Sequence, residues 1–212
     1  MAQVWLGICG GFHGPEANDG IQALWAAEPA ICTLPTVVLG GGVPWAPLSA
    51  HALRQSLDCA LAASPSGHQG RDQGQDLILW AFSAGGVGAV SLAQHWQRYR
   101  GRVRAIFLLD GWGIPWVGSA PLHRLSHDAF THRSSRVLGA GRADFFAQPA
   151  VPHLQLWQRP QAVVGQGCLP DSQGQVGPVQ TVSAAHFLTQ WTVFYAKEGR
   201  VTAISPDAHS KD

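Results

Sequence analysis

At 212 residues the chain suits one domain, with ample length to bury a sizeable core. Hydrophobic residues make up 46% and charged residues only 13%, about half the usual charged share, which excludes a disordered chain. A formal net charge of +1 gives no electrostatic footprint for nucleic acid or an anionic membrane surface.

QVWLGICGG (Gln3 to Gly11) reads as a buried strand ending in glycines. Asp19 is a candidate N-cap for a short helix through GIQALWAAE. TVVLGGG (Thr36 to Gly42) reads as a second strand with glycines at its exit. Ser49 is placed to cap a helix over AHALRQSLDCALAA, where Ala52, Leu57 and Leu61 recur at helix-compatible intervals. SPSGHQGRDQGQD reads as a polar surface loop. LILWAF (77–82), apolar on both faces, reads as a central parallel strand. AGGVGAVSLAQHWQRYR is the next helix, with basic residues in its last turn suited to the helix dipole. VRAIFLLD is another buried strand and ends at Asp110.

Gly111 to Pro152 is less regular and reads as a lid-like insertion with some helix. HLQLW (His153 to Trp157) reads as a late strand, and GQGCLPDSQGQVGP as a loop. VQTVSAAHFLTQWTVFYAKEG reads as a short strand, a turn carrying His186 and an amphipathic C-terminal helix. The tail after Ala203 is expected to fray.

Strands alternating with helices predict an α/β fold, a three-layer sandwich with a mainly parallel central sheet over residues 1–212. No internal repeat divides the chain. No apolar run approaches the roughly 18 residues that cross a bilayer. The opening MAQVWLGICGG has no basic region before its apolar run, unlike a signal peptide. Cys9, Cys32, Cys59 and Cys168 form no CxxC pair and no metal-type spacing. Cys9 and Cys59 read as reduced, buried thiols, so a cytoplasmic location is expected.

Ligands of such sheets bind at the carboxyl ends of the strands, which gathers the Gly10–Gly14 loop, Ser83 and Asp110 on one edge. A nucleophilic serine needs a sharp turn, a base within hydrogen-bond reach and backbone N–H groups facing the developing oxyanion. The strand-to-helix elbow that provides this demands small residues two before and two after the serine. Here those are Ala81 and Gly85, in A-F-S-A-G. The bland alternative is a helix N-cap serine.

With these residues the chain resembles a small member of the α/β-hydrolase-fold superfamily, similar to serine esterases and lipases. The resemblance runs through the order of elements, the serine after a central strand, the GGFHG loop after the first strand and a late histidine. It implies Ser83 as nucleophile, His186 as base, and an oxyanion hole from the N–H of Ala84 and of Gly11 or Phe12. His13 and Gly14 stand where the family has an HG element. The implied acid is Asp110, with Asp171 as the second choice; residues 158–161 after HLQLW offer no carboxylate. The implied substrate is a small-molecule ester or thioester, without metal or organic cofactor. Trp112 and Trp116, four apart, are candidate walls of an acyl pocket, or packing beneath the insertion. His123, His127 and His132 lack an HExxH-type pattern and read as insertion surface. Oligomeric state is left open.

Two other readings stand beside this one. The missing acid after HLQLW and the alanine at position 81 fit a non-catalytic relative. A dinucleotide-binding unit would place Asp110 at a ribose-binding offset, yet Gly86 and Gly88 come too late for G-x-G-x-x-G.

Overall fold

A computed structural model describes residues 3–40, 44–64 and 74–198. Gly41 and Gly42 after the second strand, most of the 64–76 loop and the tail after Ala203 lie outside the described residues.

Six strands run parallel: β1 (Val4–Cys9), β2 (Thr36–Leu39), β3 (Asp76–Phe82), β4 (Val103–Leu109), β5 (Leu122–Ser126) and β6 (Phe145–Ala147). Two antiparallel strands, β7 (Val164–Pro170) and β8 (Val176–Ser183), extend one end. The sheet order is β2-β1-β3-β4-β5-β6-β7-β8. Among the described residues, six α-helices accompany it: α1 (Asp19–Ala27), α2 (Ala50–Ala63), α3 (Gly85–Tyr99), α4 (Ala129–Arg136), the single turn α5 (Gln155–Gln158) and α6 (Ala184–Lys197). Among the described residues, no helix is long and apolar enough to cross a membrane.

Every residue of β1, β3 and β4 is buried, because helices cover both faces of the sheet. The two-residue period of a strand splits these side chains between two cores. Ile78, Trp80 and Phe82 pack with Ile21 and Leu24 of α1 and Phe187, Leu188 and Trp191 of α6. Leu77, Leu79 and Ala81 pack with Leu53 and Leu57 of α2 and Leu92 and Trp96 of α3. Trp80 Nε1 donates to Thr192 Oγ1 at 3.1 Å, so even this deeply buried indole is satisfied. Ser49 caps α2 as its sequence suggests, accepting from the Ala52 N–H.

Several expectations are corrected. Residues 111–152 do not form a lid-like excursion; they supply β5, α4 and β6. Arg124, fully buried on β5, holds the connection in place by donating to the carbonyls of Gly139 (2.6 Å) and Ile114 (2.8 Å). HLQLW is not a strand. Its alternating leucines mimic a period of two, but the chain turns into α5 and buries Leu156 and Trp157 against α1. The indole of Trp157 donates to Asn18 Oδ1 at 3.0 Å. GQGCLPDSQGQVGP is not a loop but most of the β7–β8 hairpin. Asp19 begins α1 rather than capping it, and Cys59 is exposed, whereas Cys9 is buried with its thiol pushed up to about 12.

Candidate active site

β3 and β4 end in the same unusual way. The residue after each strand has positive φ without being glycine: Ser83 at 50° and Asp110 at 50°. Side chains rarely adopt this region, and such strain clusters at functional sites. Each bent residue still pairs with the neighbouring strand. The Ser83 N–H donates to Leu109 O at 2.9 Å, and the Asp110 N–H to Leu125 O at 2.7 Å. The ladder therefore fixes both backbones while turning both side chains out at adjacent strand ends.

The elbow is tight because α3 starts immediately behind Ser83. A Cβ on Gly85 would sit 2.2 Å from Gly10 O and 2.5 Å from Cys9 O. Glycine is the only residue that lets the helix start touch the end of β1. Further along α3, a Cβ on Gly88 would meet Pro47 O at 2.3 Å. These glycines serve close packing of α3 against its neighbours. The Ser83 hydroxyl is half-buried and has no hydrogen-bond partner among the described residues.

Gly11 lies against the serine, since a Cβ there would be 3.1 Å from Ser83 Cβ. The N–H groups of Gly11, Phe12 and Ala84 have no acceptor among the described residues. Donors left free beside a strained serine are what an oxyanion hole requires. His13 follows in the same loop, its ring 5.5 Å from Phe82 and 6.2 Å from His153. Burial, then the neighbouring His153, pushes His13 below the ordinary histidine range.

Asp110 is the hub of the site. Its side chain is 1% exposed, and Oδ1 accepts the His127 backbone N–H at 2.8 Å. Oδ2 faces two imidazoles, His127 Nδ1 at 2.9 Å and His153 Nδ1 at 2.8 Å. His127 Nε2 in turn lies 3.1 Å from Asp128 Oδ2. Asp128 also caps α4 through Thr131 N–H, and that bond holds its carboxyl below the usual range. His153 stacks on Phe82 at 4.6 Å, and Phe82 stacks on Trp157 at 5.3 Å. The residue before the serine is thus clamped between the histidine and the tryptophan.

Of the expected site residues, Ser83, Asp110, Ala84, Gly11 and Phe12 gather on this edge. His186 does not join them. It is exposed in the first turn of α6, where its N–H meets the capping Ser183 hydroxyl at 3.1 Å. It lines a hollow of about 300 Å³ with Leu24, Glu28, Gln161 and Thr189, and neither Ser83 nor Asp110 borders that hollow. Asp171 closes the β7–β8 turn, accepting from the N–H groups of Gln173 and Gln175. Trp112 is 66% exposed two residues past Asp110. Trp116 packs instead onto the α2–α3 core with its indole on Ala120 O. His123 and His132 are not surface residues but buried ones.

His153 is the residue missed by sequence reading. It looked like the first residue of a strand, whereas it precedes the turn α5 and follows the last parallel strand. The expected order was Ser83, Asp110, His186, and nothing in PAVPHLQLW marks His153 as a partner of Asp110. No family model matches the chain, and no curated protein is significantly similar to it.

Proposed function

We propose that the chain is an α/β-hydrolase-like serine hydrolase that cleaves an ester or thioester. The observation that carries this reading is the Asp110–His153 hydrogen bond, seated on Phe82 immediately before the strained Ser83. In this mechanism Ser83 Oγ attacks the substrate carbonyl. His153 Nε2 takes the hydroxyl proton and returns it to the leaving group. Asp110 holds the ring through Nδ1 and stabilises the imidazolium without accepting its proton. The N–H groups of Ala84 and of Gly11 or Phe12 receive the oxyanion, and the α3 dipole adds positive potential. The chain order serine, acid, histidine is that of nucleophile-elbow enzymes.

A fluorophosphonate probe tests the reading directly. It should label the wild-type chain at Ser83 and leave Ser83→Ala unlabelled. A folded wild-type chain that resists labelling would sink the mechanism.

A further inference from the structure

Asp110, His127 and His153 come from three separate segments, yet each can offer one ligand atom so that all three lie within 4.8 Å of one another. The carboxylate at the centre is buried and, among the described residues, no lysine or arginine pairs with it. Its donors are the His127 backbone N–H and a ring N–H of His153. His127 presents a mismatch. Both of its nitrogens face carboxylates, Asp110 at 2.9 Å and Asp128 at 3.1 Å, and a neutral imidazole carries only one N–H. A cation accepting the Nδ1 lone pair would resolve it and place positive charge beside the buried carboxylate. His127 would then donate Nε2–H to Asp128, the carboxylate support that commonly orients metal-bound histidines.

We propose that Asp110 Oδ2, His127 Nδ1 and His153 Nδ1 form a site for one divalent first-row transition metal ion, of which Zn²⁺ is the representative. Two imidazoles and a carboxylate suit zinc and its neighbours, and three protein ligands leave a fourth position for water. Metal bonds of about 2.0–2.1 Å place tetrahedral ligand atoms about 3.3 Å apart. The present N–O separations of 2.8 and 2.9 Å need only a small ring displacement to reach that. His127 and His153 are 24% and 39% exposed, so an ion has a way in and the rings have room to move.

The ion and the serine chemistry exclude one another. As the base, His153 needs its proton on Nδ1, facing Asp110, and a free lone pair on Nε2. Coordination through Nδ1 moves that proton to Nε2, which can then no longer accept one from Ser83. This consequence rests on the hydrolase reading, whereas binding of the ion does not.

Metal-stripped protein titrated with Zn²⁺ should bind one equivalent by calorimetry, and Co²⁺ should give intense tetrahedral visible bands. Ser83→Ala should bind equally well. His127→Ala and His153→Ala should lose the site, and Asp128→Asn should weaken binding about tenfold or more. Melting curves in chelator show whether each variant folds; if an alanine variant does not, Asp128→Asn decides the matter. Zn²⁺ should also suppress fluorophosphonate labelling of the wild type, and removing the ion with chelator should restore it. Absence of a 1:1 wild-type signal, or binding indifferent to all these substitutions, would overturn the site. Zn²⁺ bound with labelling unchanged would overturn the exclusion. If nothing is ever labelled, the hydrolase reading fails, and calorimetry on wild type and Ser83→Ala still decides the metal site.

Discussion

Two regions of the sheet each present a late histidine close to a serine in sequence or space, and they differ in what surrounds it. At the end of the antiparallel hairpin, Ser183 caps α6 and His186 stands exposed with no side-chain hydrogen-bond partner among the described residues. At the carboxyl edge of β3 and β4, His153 is fixed through Nδ1 to a buried carboxylate and stacked on Phe82. A histidine between the last strand and the last helix is a matter of chain order. A histidine tied to an acid is a matter of convergence, and only the second can hold the tautomer that general-base catalysis needs.

The sharpest way to break this contrast is kinetic. With a chromogenic ester, His153→Ala should lower turnover by about 10³-fold, within the usual range for removing a positioned general base. His186→Ala should leave turnover within about twofold. The opposite ranking would return the base to α6.

Stability offers the next test. Gly85→Ala drives a methyl group into Gly10 O and Cys9 O and should cost about 1–3 kcal/mol in urea unfolding. The same edge should lose labelling even where the protein remains folded, since the elbow and the Gly11 loop are pushed apart. An unchanged denaturation midpoint would show that the elbow is looser than its contacts indicate.

A third test concerns His123, which contrasts with both other histidines because it is sealed. Its Nδ1 lies 2.7 Å from Ala143 O and its Nε2 2.9 Å from the Tyr195 hydroxyl, and burial pushes it down to about 3. The neutral form donates from Nδ1 and accepts at Nε2. In the unfolded chain the ring titrates near 6.5. Between about pH 6.5 and 3 the unfolded state takes up a proton that the fold refuses, so stability falls as pH falls. The expected slope from this one group is about 1.4 kcal/mol per pH unit across the middle of that window. His123→Gln should flatten the difference between unfolding curves at pH 6 and pH 4.5. The smallest effect belongs to the hairpin end. Ser183→Ala removes the α6 cap and should cost about 1 kcal/mol, with ester turnover untouched.

The strands β1 to β4 could be read from the chain as largely apolar runs with glycine or polar exits, whereas β5 (LHRLS) carries a histidine and an arginine and β6 is only three residues long. LILWAF and VRAIFLLD announce buried central strands without ambiguity, and Ser49 announces its cap. The antiparallel end was opaque because β7 and β8 carry glycine, proline and exposed polar residues; β8 has no fully buried position. Such strands are held by pairing with each other rather than by a sequence-visible apolar face. Ser83 and Asp110 were legible as strand-end residues. Their shared positive φ was not, nor was the convergence of His127 and His153, which sit 17 and 43 positions from Asp110. Long-range pairing of that kind leaves no periodicity to detect.

The Phe82 clamp has one more consequence. Because Phe82 stacks on both His153 and Trp157, the His153 ring is positioned through the side chain that immediately precedes Ser83. Trp157 is itself moored to Asn18, and a Cβ on Gly20 would strike Gln158 O at 1.7 Å. The placement of His153 is therefore referenced to the start of α1, which contributes no residue to the candidate site. Trp157 accordingly works as a built-in optical gauge: any shift in how α1 meets α5 alters the emission of an indole one ring away from the histidine.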